Sequence, residues 1–582
     1  MVRDIDVRDW RKKAADDRYT EAQGVTHPTN GEEGSYNGLF IANYSKSLPH
    51  NPMGEVDPAA YVKIRDACNN SINTTPTTFN ESLFSNIDKG TIPPGKCYHK
   101  LTNPISGLAY DIEGQDSHGL SVNPPPRIDS EAGAADILEV YWMALCRDID
   151  FKDYGQNSQI QDAVNSLNPF AAHIRPNDST PSLSRGNIFR GNFKGDDVGP
   201  FVSQLLLKGN KDDVLNRKET DGYIKFGAGS YDQRIVVGLK NKDYMTHFDS
   251  WLAVQNGDDR NLSLIVNHDL NPCKEMTDTR DLDDYYDTTP RFIHNMRALA
   301  SWVHFDKLYQ AYLDALIYLQ RLPRKETKDH PLLDPGNPYN GNMNQMGFGT
   351  FGDPHVQALV TEVATRALKA AWFQKWFVHR RLRPEAFGGL IHLCKTGQKN
   401  YPVNGKILSS DVLGKIAELN KEQNEKYGRR DTNPAQNGDY YLLPMAFPEG
   451  SPTHPSFPAG HATVAGACVT VLKAWFNEEY PIKNPVHAIK GGTELDYYNG
   501  PGKDNLTLGG ELNKLAANIA IGRNMAGVHY RTDYVESVKL GEKVAISVLK
   551  DQMETYFEKY KLTLKREYLF GDSPIDLEIK NH

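Results

Sequence analysis

Cysteine is scarce: six in 582 residues, at positions 68, 97, 146, 273, 394 and 468. None stands in a CxxC pair or at the spacing of a thiolate metal site. That excludes a disulfide scaffold and a cysteine-built metal centre. Cys68 and Cys97 lie in polar, loop-like sequence and could pair; the others read as free and buried. Long apolar runs are also missing. No stretch of about 18 apolar residues is free of charge, so no transmembrane span is expected. The start, Met1-Val2-Arg3-Asp4-Ile5-Asp6, has no apolar signal core, which suits a cytoplasmic protein or the mature form of an exported one. Positive charge is not in excess either. The net charge of −8 argues against wholesale binding of nucleic acid or an anionic membrane, since both need a basic surface. Any anion site must be a local basic cluster. There is no fixed-period repeat.

What is present is a helical chain behind a loop-rich arm. Residues 1–130 are rich in Pro, Gly, Asn, Asp and Ser, as in Thr74-Thr75-Pro76-Thr77-Thr78 and Pro124-Pro125-Pro126. So long an irregular segment is expected to wrap over a core or over neighbouring subunits. The chain divides into this arm and oligomerisation region (1–130), an N-terminal helical half (131–330) and a C-terminal helical bundle (331–582). Residues 132–146 read as the first solid helix. A helix over 198–207 and a short strand over 235–239 are expected in the mixed region that follows. Apolar spacing then predicts a long helix over 292–322 and a second over 355–382, ended by Pro384. Further helices are expected over 408–426, 460–477, 508–526 and 533–559, with an extended charged tail after 560. The fold class is all-α: two large helical bundles, loop-rich N-terminal arms and only minor strands.

Chemistry gathers at Ser451-Pro452-Thr453-His454-Pro455-Ser456-Phe457-Pro458-Ala459-Gly460-His461. A proline-stiffened loop feeds Gly460 and His461 into a helix N-terminus, whose free N–H groups and dipole favour an anion. Lys375 lies among Trp372, Phe373, Trp376 and Phe377, where a cation needs a partner. Arg383 can bend back toward it. Arg380 and Arg381 fit a solvated charge face. Arg523 ends a small-residue helix, and Gly527 lets His529 turn back toward it. Asp533 has two readings. It could fix the His529 tautomer, or it could open a helix as the first residue of the capping box Asp533-Tyr534-Val535-Glu536.

Taken together, Lys375-x7-Arg383-Pro384, Pro458-Ala459-Gly460-His461 and Arg523-x5-His529-x3-Asp533 resemble the three-part signature of the vanadium-dependent haloperoxidases and the acid phosphatases related to them. The surrounding sequence looks most like the long bromoperoxidases of red algae and cyanobacteria, sharply so over 355–548. The resemblance implies vanadate held by Lys375, Arg383, Ala459, Gly460, His461, Arg523 and His529, with His529 bonding the metal. His461 would be the acid–base group, and Lys375 would assist the bound peroxide. His454, whose position separates bromoperoxidases from chloroperoxidases, favours bromide and iodide, and Trp372 shapes the halide side. The implied reaction uses hydrogen peroxide to oxidise bromide or iodide and halogenates organic acceptors. Phosphate could take vanadate's place. By analogy, calcium would bind a loop at 334–353 that offers Asp334, Asn337, Asn340, Asn342, Asn344 and Asp353. A homo-oligomer, up to a dodecamer, is implied through the arms. One position departs from the pattern: many members carry Ser where this chain has Ala459. The same pocket could serve an acid phosphatase with His529 as nucleophile, although the Lys375–Arg383 gap, His454 and the large N-terminal half are not phosphatase features. A third reading is an oxyanion-holding assembly protein without turnover.

Overall fold

The computed structural model describes residues 7–72, 84, 86–92, 98–259, 285–322, 332–433, 438–566 and 575–580. Among these residues the fold is helical, with four isolated antiparallel strand pairs, as the all-α reading expected. The core of the site is a bundle of α8 (Asp353–Phe373), α11 (Gly460–Trp475), α12 (Leu508–Met525) and α13 (Arg531–Met553). In α11, all but one of the sixteen residues are buried. A helix apolar all round belongs at the centre of a bundle. Glycines set how closely it is packed. A Cβ on Gly466 would lie 2.1 Å from the Val538 carbonyl oxygen, and one on Gly541 would lie 2.0 Å from that of Thr463. The α11 and α13 backbones therefore touch, and they fix the loops at their N-terminal ends against each other.

The other labelled helices are α1 (Val7–Ala22), α2 (Pro58–Ile72), α3 (Glu131–Cys146), α4 (Ser158–Leu167), α5 (Phe248–Gln255), α6 (Met296–Phe305), α7 (Gln310–Gln320), α9 (Pro384–Lys395) and α10 (Val412–Lys426). One apolar cluster runs through both halves of the chain, from Ile41 to Leu564. A smaller one joins the arm to the aromatic stripe, packing Phe40, Tyr44 and Tyr61 on Trp372, Phe373, Trp376 and Phe377.

Several expectations change. Among the described residues the arm contains the helices α1 and α2, and its loops reach the bundle: Gly114 N–H donates to Asp551, Gln115 N–H to Ser547, and Trp372 Nε1 to the Thr102 carbonyl. Residues 198–207 hold only a single turn, Gln204–Leu206, because Gly199-Pro200 interrupts the pattern. The strand is found at Ile235–Gly238. The expected 292–322 helix breaks into α6 and α7 around Asp306, which takes an extended backbone at the α6 C-cap. The expected 355–382 helix ends at Phe373 and continues as a π-helical segment, Gln374–His379, closed by Arg380 in the left-handed region at φ 44°. Pro384 does not stop a helix; it is the first residue of α9, a position that needs no N–H donor. The tail forms an antiparallel pair, Lys561–Arg566 with Ile575–Lys580.

In the 334–353 loop, three of the six residues named for calcium accept backbone hydrogen bonds within turns. Asp334 Oδ1 accepts from Gly336 N–H at 2.8 Å, Asn337 Oδ1 from Tyr339 at 3.0 Å, and Asn342 Oδ1 from Asn344 at 2.9 Å. Among the described residues no group of three or more His, Cys, Asp or Glu could hold a metal ion. Cys68 is buried on α2; Cys97 lies outside the described residues, and with it the Cys68–Cys97 pairing. No described helix is long and apolar enough to cross a membrane.

Candidate active site

The structure brings Lys375, Arg383, His454, Ala459, Gly460, His461, Arg523 and His529 to one place, at the N-terminal ends of α11 and α13. Lys375 comes from the π-helical segment, and Arg383 is the residue before α9. Lys375, Arg383 and Arg523 are buried, at 0%, 1% and 5% exposure. Their hydrogen bonds go to neutral groups. Lys375 Nζ donates to the carbonyls of Pro455 (2.6 Å) and Ser456 (2.7 Å). Arg383 donates to the carbonyls of His454 and Val528, both at 2.8 Å, and to two imidazoles. Arg523 Nη1 donates to the Val303 carbonyl at 2.8 Å, and its buried Nε has no partner.

Several other buried cations in this fold sit on carboxylates: Arg531 on Glu139, Arg297 on Asp148, and Lys46 on Glu385 at 2.9 Å. Among the described residues, these three have none. Burial, and then the charge of Arg383, push Lys375 well below its ordinary pKa. Burial and Arg523 bring Arg383 down to about 10. Three buried cations that repel one another, with carboxylates near but none paired to them, favour a shared anion.

Hydrogen bonds set the imidazoles. His529 Nδ1 lies 2.7 Å from Asp533 Oδ2, and Arg383 Nη1 lies 3.0 Å from His529 Nε2. Arginine can only donate. His529 is therefore the Nδ1–H tautomer with its Nε2 lone pair toward the cations. Burial, then Arg383, hold it neutral, with its pKa well below the ordinary value.

Asp533 also takes a hydrogen bond from the Ser456 hydroxyl and one from Arg381 Nη1 at 2.7 Å. Burial alone would raise its pKa, but Arg381 and His529 hold it far below the carboxylate range. Both readings of Asp533 meet here in altered form. It is the third residue of α13, not its cap, and it accepts from Tyr530 N–H at 3.3 Å. The reading of Arg380 and Arg381 as a solvated face is overturned: both are buried, Arg380 on Glu33 and Arg381 between Asp533 and Asp136.

His454 lies against Trp372, ring centroids 4.6 Å apart. Its Nδ1 faces Arg383 Nη2 at 2.8 Å. Gly460 opens α11, and a Cβ there would crowd Trp372 at 3.1 Å. Ala459 N–H donates to Ser537 Oγ at 2.8 Å, and no side chain caps the helix. His461 Nε2 lies 3.0 Å from Asp306 Oδ1. Asp306 was missed in the sequence, because Leu308 and Tyr312 continue the helical spacing through the break that presents it.

A family model described as the VCPO second helical-bundle domain matches residues 356–558, the stretch that carries Lys375, Arg383, His454, Ala459, Gly460, His461, Arg523, His529 and Asp533. The chain is 36% identical to the vanadium-dependent bromoperoxidase of Corallina officinalis, over 94% of each protein. It is 32% identical to that of Ascophyllum nodosum, over 94% of this chain and 88% of the relative. The chain belongs to the vanadium-dependent bromoperoxidases. A solved homohexameric structure of the second vanadate-dependent bromoperoxidase from Ascophyllum nodosum superposes with a TM-score of 0.81 at 28% identity, covering 99% of this chain and 90% of that one. That relative is a hexamer, whereas a dodecamer was the largest assembly expected. The donor set fits the group that names the family: three cations without carboxylates, the orphaned Arg523 Nε, a helix N-terminus and an imidazole lone pair suit a tetrahedral oxyanion of a metal that nitrogen can bind.

Proposed function

We propose that this bromoperoxidase-family chain holds vanadate in the pocket and uses hydrogen peroxide to oxidise bromide and iodide, delivering a hypohalous acid equivalent to organic acceptors. The observation that carries the reading is the trio of buried cations without a carboxylate ion pair, one of which, Arg383, places Nη1 3.0 Å from the Nε2 lone pair of His529. Lys375, Arg383, Arg523 and the Gly460 N–H would hold the oxyanion's oxygens, and His529 Nε2 would bond the metal. When bound, vanadate supplies Lewis-acid activation of peroxide without a change of oxidation state.

The protein's own residues do the rest. Asp533 keeps the proton on His529 Nδ1, so Nε2 stays a donor of electrons. Asp306 holds His461 at Nε2 and leaves Nδ1 to take and return the proton of peroxide. Lys375 donates toward the reacting oxygen and favours charge moving onto it. The His454–Trp372 pair lines the halide side and favours bromide and iodide over chloride. Phosphate competes with vanadate for the same cations. The chain works as a homo-oligomer, in keeping with its hexameric relative; light scattering on the purified protein reads the assembly size.

The deciding experiment strips the protein of bound oxyanion and adds orthovanadate or phosphate in parallel. Peroxide-dependent bromination, chlorination and phosphoester hydrolysis are then measured. Bromination that needs vanadate is expected. Hydrolysis without bromination overturns the proposal in favour of a phosphatase, and oxyanion binding without either activity points to a non-catalytic role.

A further inference from the structure

The mechanism above uses one histidine–carboxylate pair, His461–Asp306. A second stands beside the same pocket. His304, near the C-terminus of α6, places Nε2 3.1 Å from Glu449 Oε1. Its ring lies flat on Phe447, centroids 3.8 Å apart and planes 15° apart, which fixes the imidazole's direction. The His304 side chain is 12% exposed and that of Glu449 6%, so the pair runs from solvent inward. Glu449 lies on the loop that leads to His454 and His461. Its carbonyl accepts from Lys46 Nζ at 2.7 Å, which anchors the backbone beneath the carboxylate. Glu449 Oε2 is buried and has no hydrogen-bond partner.

The charged and titratable groups around Glu449 are His304, His99, Lys46 with its partner Glu385, Tyr286 and Arg523. Burial pushes the Glu449 carboxyl up, but the charge of His304 leads the effects that hold it below its ordinary value. Arg523 is thus acted on by two carboxylates, Asp306 and Glu449, and each of these is hydrogen-bonded to a histidine.

Halide oxidation by peroxide consumes a proton: H2O2 + Br− + H+ gives HOBr + H2O. Arg523 is buried, so a proton delivered to its side of the pocket needs a relay. We propose that His304 and Glu449 form the proton inlet of the site. His304 takes a proton from solvent and passes it from Nε2 to Glu449 Oε1; the carboxyl group then turns, so that the protonated oxygen takes the place of the unpartnered one and releases the proton toward the Arg523 side of the pocket, leaving the carboxylate as it was. His461–Asp306 is then left to handle the proton of peroxide itself. This rests on the bromoperoxidase reading, and His304 and Glu449 act through the pocket rather than by touching the halide.

The test uses the vanadate-loaded enzyme. His304→Gln keeps a hydrogen-bond donor toward Glu449 but cannot carry a proton. We expect kcat to fall roughly ten- to hundredfold, the lower part of the range for a lost acid–base group. The rate should also begin to fail at a lower pH as pH rises, and added imidazole should restore much of it. Vanadate affinity of the stripped variant, from equilibrium dialysis, should be unchanged, which also shows that the pocket has folded. Glu449→Gln should lose rate without imidazole rescue and bind vanadate more tightly, because a negative charge near Arg523 has gone. Wild-type kcat and pH profile in His304→Gln, or a loss that imidazole does not repair, would overturn the inlet. If Glu449→Gln does not fold, His304→Gln decides alone. Failure of the unmodified protein to brominate would instead be a failure of the function, and dialysis and turnover keep the two apart.

Discussion

Replacing Asp533 by Asn tests the site at its centre. The carboxylate is fully buried and accepts from His529, Arg381, Ser456 and Tyr530. An amide is nearly the same size but offers a donor as well as an acceptor. With its NH2 toward His529 Nδ1, the imidazole would switch its proton to Nε2, the atom that faces Arg383 and would bond vanadium. Loss of one hydrogen bond to a charged group is worth about 1.5–3 kcal/mol. That corresponds to roughly 10- to 150-fold weaker vanadate binding, in line with the 10- to 100-fold cost usual for the outer partner of a metal-bound histidine. A separate effect falls on stability. Arg381 keeps Asp136 at 2.9 Å but loses its second carboxylate; breaking a buried pair outright costs about 3–5 kcal/mol, and the remaining partner should reduce this. Urea denaturation of the stripped protein measures the stability loss, and vanadate titration by equilibrium dialysis measures the affinity. Vanadate binding as tight as wild type, in a variant destabilised as expected, would refute the tautomer argument and leave Asp533 a structural ion-pair partner.

Four further outcomes follow from the same geometry. In Asp306→Asn the charge that raises the His461 pKa against burial is gone, so the kcat/KM limb belonging to His461 should move to lower pH; an unmoved limb would separate the two residues. His379 is buried with neither ring nitrogen hydrogen-bonded, and burial pushes it down to about 3. The unfolded chain takes up that proton below about pH 6.5 while the folded one does not, so stability falls as pH drops from roughly 6.5 to 3, by about 5 kcal/mol at most. His379→Phe should flatten Tm against pH across that window, and an identical slope would count against it. Ala459→Ser places a hydroxyl that can either cap α11 or reach the oxyanion, each worth about 1 kcal/mol; dialysis should show vanadate held no more than about fivefold tighter, whereas weaker binding would mean the pocket is differently arranged. Lys46→Met strands the buried Glu385 carboxylate and should cost about 3–5 kcal/mol in denaturant unfolding, with much of it returned when Glu385→Gln is added.

The cations and histidines of the site were legible because each lies in a helix or turn that local sequence specifies. Arg523 and His529 are tied by Gly527, and Gly460 and His461 by the proline loop. Of their outer partners Asp533, four residues after His529, was legible; the distant ones were not. Asp306, Asp136 and Glu33 come from segments with no periodic relation to the motifs, and only the tertiary fold sets them against His461, Arg381 and Arg380. Pro384 misled because proline both ends helices and begins them, and its neighbours do not say which. Helix α2 could have been found: Ala60, Tyr61, Ile64, Ala67, Cys68 and Ser71, all buried, lie three and four residues apart. Helix α1 could not, since none of its residues is buried and no apolar stripe marks it.

Lys46 has a consequence for the order in which this protein becomes active. Its ammonium joins the carbonyl of Glu449, 403 residues away, and Asn43 bridges to Arg381 across a comparable span. Contacts between such distant parts of a chain close late, because the loop between them must lose its freedom first. When the complete chain folds, these closures would therefore come late, and an oxyanion pocket that rests on the loop they anchor would be among the last parts to form.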